Sequence, residues 1–388
     1  MTLAMVLFWF SIALLLYTYV GFTVLLAVRS LIRPRPVRAA DITPAVSMII
    51  SVYNEADGIE AKLNNILALD YPAGQLEAVI VSDGSDDGTN EIVSRFAEQH
   101  PIVKFRARPR TGKAPALNAA VAESTGEILV FSDANSLYKP DAIRWLARPF
   151  ADPQVGAVAG NQVYTKNLKD AGSMGEQGYW GFDRVLKTLE SRGGNTISAT
   201  GAIYAIRRAL FQEVPGGVTD DFVTSTRVIV QGYRLVFEPN AVAYETVAKS
   251  QKEFGRKVRI MTRGLRAVVE MRALLNPARY GFYALQFFTH KVLRRLMYIP
   301  LIVIFLANPF LLSKGWFYVL TMLGQLAFYG LALVNWLLEQ RGIRLPKPLR
   351  IPTYVCMVYF AALLATWNLI RGRRIEQWTT ARVETPPA

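Results

Sequence analysis

From Leu3 to Val28 no charged residue interrupts a run of mostly apolar positions, long enough to cross a hydrocarbon core about 30 Å thick. Three more apolar runs, roughly Leu296 to Leu312, Trp316 to Leu338 and Ile351 to Ile370, predict three further spans. The stretch between the first span and these three follows another rhythm. Val46 to Val52 is a short β-branched run, followed by a polar turn, Tyr53 to Gly58, and a helical pattern through Ile59, Leu63, Ile66 and Leu67. The cycle repeats in Ala78 to Ser82, a loop rich in Asp and Gly, and a helix through Ile92, Val93 and Phe96. A third strand, Glu127 to Ser132, ends at another acidic loop. Buried strands alternating with amphipathic helices predict an α/β fold with a mainly parallel sheet covered on both faces. Ligands of such sheets bind beyond the carboxyl ends of the strands.

This rhythm divides the chain into an N-terminal span with its basic border (1–31), a cytoplasmic α/β domain (32–250), amphipathic or interfacial helices (251–295), three spans (296–370) and a basic tail (371–388). A cleaved leader is the rival for the first run, but its start lacks a cation and the run is too long. Composition agrees: 52% of the 388 residues are hydrophobic, more than a water-soluble domain needs. The net charge of +14 by itself suggests nucleic acid. Its placement does not. Arg29, Arg33, Arg35 and Arg38 follow one apolar run, Lys291, Arg294 and Arg295 precede another, and Arg341, Arg344, Lys347 and Arg350 separate two more. Cations at span borders predict membrane lipids as partners, a bacterial-type inner membrane setting and a cytoplasmic central domain. At the C-terminus two rules disagree: counting crossings puts it outside, whereas Arg371, Arg373 and Arg374 favour the inside. The single cysteine, Cys356, excludes a disulfide framework and a cysteine metal site.

Neither a P-loop nor a G-x-G-x-x-G turn is present, which weakens kinase-like and dehydrogenase-like readings. Chemistry is instead offered by three strand-end loops. Val52-Tyr53-Asn54-Glu55 supplies an aromatic face and a carboxylate able to stack a base and accept from a ribose; an ordinary capped turn is the competing reading. Ser82-Asp83-Gly84-Ser85-Asp86-Asp87-Gly88-Thr89 begins with Asp83, where a buried carboxylate accepts from the imide N–H of uracil; a solvated turn with a helix cap competes. Phe131-Ser132-Asp133-Ala134-Asn135-Ser136 offers oxygen donors at Asp133 and Asn135, suited to Mg²⁺ or Mn²⁺ shared with substrate phosphates.

Together these loops resemble the nucleotide-sugar half of family-2 glycosyltransferases, the GT-A class that includes cellulose, chitin, hyaluronan and poly-N-acetylglucosamine synthases, over about Val46 to Arg266. The resemblance implies that Tyr53, Glu55 and Asp83 hold the nucleoside of a donor, expected to be a UDP-sugar, and that Asp133 and Asn135 hold the metal and diphosphate, with Asn135 where the family carries Asp. Gly112, Lys113, Leu117 and Asn118 match the family's G-K-x-x-x-L-N stretch, which implies Lys113 near the diphosphate. Ser198-Ala199-Thr200-Gly201-Ala202 is similar to the acceptor-site segment. Thr219-Asp220-Asp221 is similar to T-E-D, which makes Asp221 the catalytic base and Asp220 its substrate-side neighbour; helix capping is the alternative for both acids. Arg256 and Arg259 stand where the family has the Gln and Arg of Q-x-x-R-W, while Ile260 replaces its Trp.

What the resemblance implies is an inverting transfer to a growing saccharide, coupled to export through the spans. Single transfer to a polyprenyl phosphate uses the same donor loops. A membrane-anchored nucleotide binder without turnover is the contrasting class, and the cations offer no platform for nucleic acid. Tyr179, Trp180 and Phe182 can stack on sugars or serve as core and interface aromatics. His100 and His290 read as structural.

Overall fold

The computed structural model describes residues 2–165, 182–246, 253–343 and 345–373. Among these described residues eight strands form one mixed sheet: β1 (Val46–Val52), β2 (Leu76–Asp83), β3 (Val103–Arg108), β4 (Ile128–Phe131), β5 (Leu137–Tyr138), β6 (Val155–Thr165), β7 (Tyr204–Arg207) and β8 (Arg234–Thr246), in the order β3-β2-β1-β4-β7-β6-β8-β5. The strands β3, β2, β1 and β4 run parallel. Every residue of β1 is buried, as expected of a central parallel strand covered on both faces. Each buried Val or Ile there contributes about 1.5–3 kcal/mol. The helices Ala56–Leu67, Thr89–Gln99 and Lys113–Glu123 follow β1, β2 and β3. Ile59, Leu63 and Ile66 dock the first of these onto the core.

The expected strands are all present, with β2 longer and β4 shorter than their sequence patterns. Beyond β4 the sheet changes direction. Strand β7 is antiparallel to β4 and β6 antiparallel to β7, while β8 is parallel to β6. Antiparallel pairing sets the start of β7 beside the end of β4: Phe131 faces Tyr204 in register, their rings stacked 4.7 Å apart. The segment entering β7 therefore meets the loop leaving β4. The parallel order β3-β2-β1-β4 switches sides between β1 and β4, and ligands of open α/β sheets bind in the crevice beyond the strand ends at such a point, here beside the segment entering β7.

The described residues separate into two compact units: 26–165, 182–246 and 269–283 hold the sheet, and 2–25, 253–268, 284–343 and 345–373 gather the apolar helices. Among the described residues three helices are long and apolar enough to cross a membrane: Leu3–Ile32, Trp316–Gln340 and Pro348–Ile370. The first passes through a π-helical turn at Tyr17–Gly21. The expected run Leu296 to Leu312 is not one straight helix. It forms Tyr298–Ala307, then a 3₁₀ segment Asn308–Lys314 in which Pro309 cannot continue the ladder. With Phe282–Arg295 it makes a pair bent by 57° that counts as a fourth candidate span only if the two are taken as one. Phe310 and Trp316, each 75% exposed, are typical of the uncovered faces of these helices, more apolar surface than a soluble monomer displays. His100 lies against Phe96 and His290 against Phe22, ring to ring at 4.3 and 5.0 Å, in keeping with structural roles.

Candidate active site

The loops after β1 and β2 are laced together. Asn54, at φ 52°, donates from its amide to Asp86 (2.7 Å) and accepts from the Asp86 N–H (3.0 Å). Asparagine is one of the few non-glycine residues that enter this left-handed region readily. The Ala56 N–H donates to Asp87 and the Glu55 N–H to Thr89. Two of the three carboxylates in the second loop thus serve loop architecture. Above them the Arg110 guanidinium stacks on the Tyr53 ring at 3.4 Å.

Asp83 is the third carboxylate, and it is the last residue of β2, not the first of the loop. Only 1% exposed, it accepts from the backbone N–H groups of Thr111 (2.7 Å) and Gly112 (2.9 Å). Gly112, at φ 107°, then opens the helix Lys113–Glu123, a conformation glycine adopts without steric cost. At the helix start stands Lys113, whose ammonium reaches Asp133 Oδ1 at 2.7 Å and Asp220 Oδ2 at 3.1 Å. Further along, the Asn118 amide exchanges two hydrogen bonds with the backbone of Val214.

Asp133 leaves β4 with its N–H on the Gly201 carbonyl, 3.1 Å away. A Cβ on Gly201 would lie 2.8 Å from Asp133 Oδ2, so this carboxylate rests in space that only glycine leaves open. The segment is fixed from behind, because the Ala199 N–H donates to Ser225 on the helix Asp220–Val230. Asp220 and Asp221 occupy the first turn of that helix, where acids favour the exposed N–H groups. Asp220 is buried and Asp221 half-buried.

Four charged groups thus share one crevice. Burial opposes the charge on Lys113, but Asp133 and then Asp220 outweigh it and hold the ammonium above the usual lysine value. Burial and the neighbouring Asp220 push the Asp221 carboxyl up to about 6, against the pull of Lys113. Glu55 rises to about 7, through burial first and then Asp133. Asn135 is exposed. Asp133 and Asn135 both carry oxygen donors on the loop after β4, the donor type that Mg²⁺ and Mn²⁺ favour when shared with phosphates. Among the described residues no three His, Cys, Asp or Glu side chains assemble as a metal cluster, so such an ion would take its other ligands from diphosphate or water.

Residues 47–214 match the family model described as glycosyl transferase family 2. The chain carries a glycosyl transferase family 2 domain. Over 228 residues it is 25% identical to poly-beta-1,6-N-acetyl-D-glucosamine synthase of Staphylococcus aureus, covering 58% of this chain and 55% of that one. The synthase of Staphylococcus epidermidis is 25% identical over 53% of this chain and 50% of its own. The chain thus spans about half the length of the curated relatives it matches. A solved structure, the mannosyltransferase PcManGT from Pyrobaculum calidifontis in complex with GDP-Man and Mn²⁺, superposes with a TM-score of 0.70 and 28% identity, covering 95% of this chain and 100% of that one. The GT-A fold and glycosyltransferase character expected from the loops are therefore met.

Of the expected site residues, the sheet unit brings together Lys113, Asp133, Gly201, Asp220 and Asp221, with Glu55 in electrostatic reach of Asp133 and Asp83 behind Lys113. Arg256 and Arg259 stand on the helix Glu253–Glu270, in the part that clusters with the apolar helices. Tyr179, Trp180 and the side chain of Phe182 lie outside the described residues. One residue escaped the sequence reading. Lys62 is 0% exposed and reaches the loop of Asp133 from below; burial, partly offset by Asp133 and Glu245, pulls its ammonium down to about 7. Its signal was a lysine on the apolar face of its helix, three residues after Ile59 and four before Ile66.

Gly201→Ala must displace the Asp133 carboxylate or the segment entering β7. Sugar transfer is expected to fall by at least about tenfold, while the thermal midpoint of the purified protein moves by no more than about 4 °C. Transfer kinetics and an unfolding scan on the same sample check this.

Proposed function

We propose that this protein is an inverting, divalent-metal-dependent glycosyltransferase that moves a sugar from a nucleoside diphosphate donor to a saccharide acceptor at the cytoplasmic face of a membrane. The observation that carries this reading is Asp221, a carboxylate with a raised pKa in the crevice of Lys113, Asp133 and Asp220. Tyr53, Glu55 and Asp83 line the nucleoside side, Asp83 acting through the Thr111–Gly112 turn as well as by its own acceptor atoms. Asp133 and Asn135 would hold the metal, which neutralises charge on the departing diphosphate when bound. Arg256 and Arg259 are assigned to donor binding on motif likeness alone.

In the reaction the acceptor oxygen bonds to the anomeric carbon while Asp221 takes the hydroxyl proton. The bond from that carbon to the diphosphate breaks, its electron pair leaving with the β-phosphate oxygen. Lys113 faces the charge that develops there, a preorganised cation in a partly dry site. Asp220 anchors Lys113 and keeps the Asp221 pKa raised.

The likeness to the staphylococcal poly-beta-1,6-N-acetyl-D-glucosamine synthases supports a growing polysaccharide product; a UDP-sugar donor and export through the apolar helices rest on the motif resemblance alone. The likeness along nearly the full chain to a mannosyltransferase holding GDP-Man supports a second reading, a guanosine donor. Within that reading, transfer of one sugar to a lipid-linked phosphate is the alternative to polymer growth.

Membranes carrying the protein, given a panel of radiolabelled UDP- and GDP-sugars with Mg²⁺ or Mn²⁺, are expected to yield labelled product from one donor class, and product size separates polymer from single transfer. Asp221→Asn is expected to lower turnover by about 100-fold or more with donor affinity within a few-fold of wild type; unchanged turnover would remove Asp221 as the base. Because Asp221 accepts a proton only when ionised, activity is expected to fall as pH drops through about 6. Asp220→Asn removes the neighbouring negative charge, which lowers the Asp221 pKa, so the acid limb of the kcat/KM profile should move to lower pH.

A further inference from the structure

Beneath the Asp133 loop lies a cluster of buried polar groups that the transfer mechanism does not use. Lys62, on the helix Ala56–Leu67, donates from its ammonium to Ser132 Oγ at 2.7 Å and to the Ser136 carbonyl at 2.5 Å. The Tyr138 ring lies 4.4 Å from the same nitrogen. Three N–H donors thus meet two oxygens and one π face, which satisfies a lysine that water cannot reach. Ser132 and Ser136 bracket Asp133-Ala134-Asn135 on either side. Both also bind within the loop: Ser132 Oγ donates to the Asp133 carbonyl at 3.1 Å, and the Ser136 N–H donates to the same oxygen at 3.2 Å. On the far side Ser136 Oγ donates to Glu245, which also accepts from Gln162 at 2.6 Å. Tyr138 in turn donates to the Phe131 carbonyl at 3.1 Å. Each end of the loop is thereby tied to an element that packs under it.

Burying an ammonium is expensive, and an apolar residue at this helix position would pack against the core at lower cost. A lysine kept there and spent on the two residues that flank a proposed metal-binding pair implies a task for that loop. Resting on the metal-dependent reading above, we infer that Lys62 is a positioning residue that fixes the Asp133–Asn135 loop in the shape that receives a divalent cation with its diphosphate. The residue touches neither substrate nor metal. It acts through Ser132 and Ser136, as outer partners orient the ligands of metal sites, where their loss costs about 10- to 100-fold in affinity.

The test is Mn²⁺ binding by the full-length protein in detergent, titrated by electron paramagnetic resonance with UDP or GDP present and no sugar to transfer. Lys62→Met keeps the side-chain volume and removes the donors. It is expected to weaken Mn²⁺ binding at least about tenfold, while nucleotide affinity measured without metal stays within twofold of wild type and thermal unfolding stays cooperative. A folded Lys62→Met protein that binds Mn²⁺ as wild type does would overturn the inference. Should that variant not fold, Ser132→Ala removes one acceptor and leaves the lysine; a smaller loss of Mn²⁺ affinity, about threefold, supports the role, and no loss rejects it. Asp133→Asn is run alongside. If it leaves Mn²⁺ binding unchanged, the metal assignment itself fails; if it abolishes binding while Lys62→Met and Ser132→Ala do not weaken it, only the role of Lys62 fails.

Discussion

One ammonium group holds this site together. Lys113 lies between the carboxylates of Asp133 and Asp220, and those acids come from opposite sides of the sheet's change of direction. Without a cation between them, Asp133, Asp220 and Asp221 would repel one another in a partly dry crevice, and ionising all of them would be costly. With it, the loop after β4 and the helix Asp220–Val230 are held at one centre. Lys113 is itself aimed by Asp83, which binds the turn ahead of its helix. Asp83 at the end of β2 and Lys113 at the start of its helix are therefore one mechanical unit.

Sheet topology explains why the pieces converge. Strands β1, β2 and β4 deliver their loops to one edge because they are parallel. Strand β7 delivers the segment before it to that same edge because it is antiparallel to β4. Gly201 consequently lies against Asp133, and the missing side chain becomes part of the site. The proposed chemistry rests on this arrangement: a cation to face the leaving group, oxygen donors of Asp133 and Asn135 on the loop after β4, and a carboxylate whose raised pKa suits it to take a proton near neutral pH.

Local features of the site and fold were legible in the sequence, and relations across the sheet were not. Short apolar runs predicted β1, β2 and β4, acids at the ends of β2 and β4 pointed to Asp83 and Asp133, and the likeness of Thr219-Asp220-Asp221 to T-E-D pointed to Asp221. Nothing in a linear pattern tells which way β7 runs, since short buried strands look alike in either direction, so the contact of Gly201 with Asp133 could not be derived. Position at the strand end already set Asp83 apart, but the lacing roles of Asp86 and Asp87 show only in their partners across the loops. Lys62 left a trace, a charge on an apolar helix face, but its partners Ser132 and Ser136 are about seventy residues away in the chain. The run Leu296 to Leu312 was legible as apolar, while the 57° bend between Phe282–Arg295 and Tyr298–Lys314 leaves no mark in composition.

The central claim is that Lys113 neutralises two facing carboxylates, and a double-mutant cycle on the full-length protein in detergent tests it most directly. Thermal midpoints are compared for wild type, Lys113→Met, Asp220→Asn and the double variant at neutral pH. Coupling through a shared counter-ion predicts that Lys113→Met is the most damaging change and that adding Asp220→Asn recovers at least about half of the loss, since groups in contact do not act additively. Strictly additive losses, with the double variant the least stable of the four, would contradict the account.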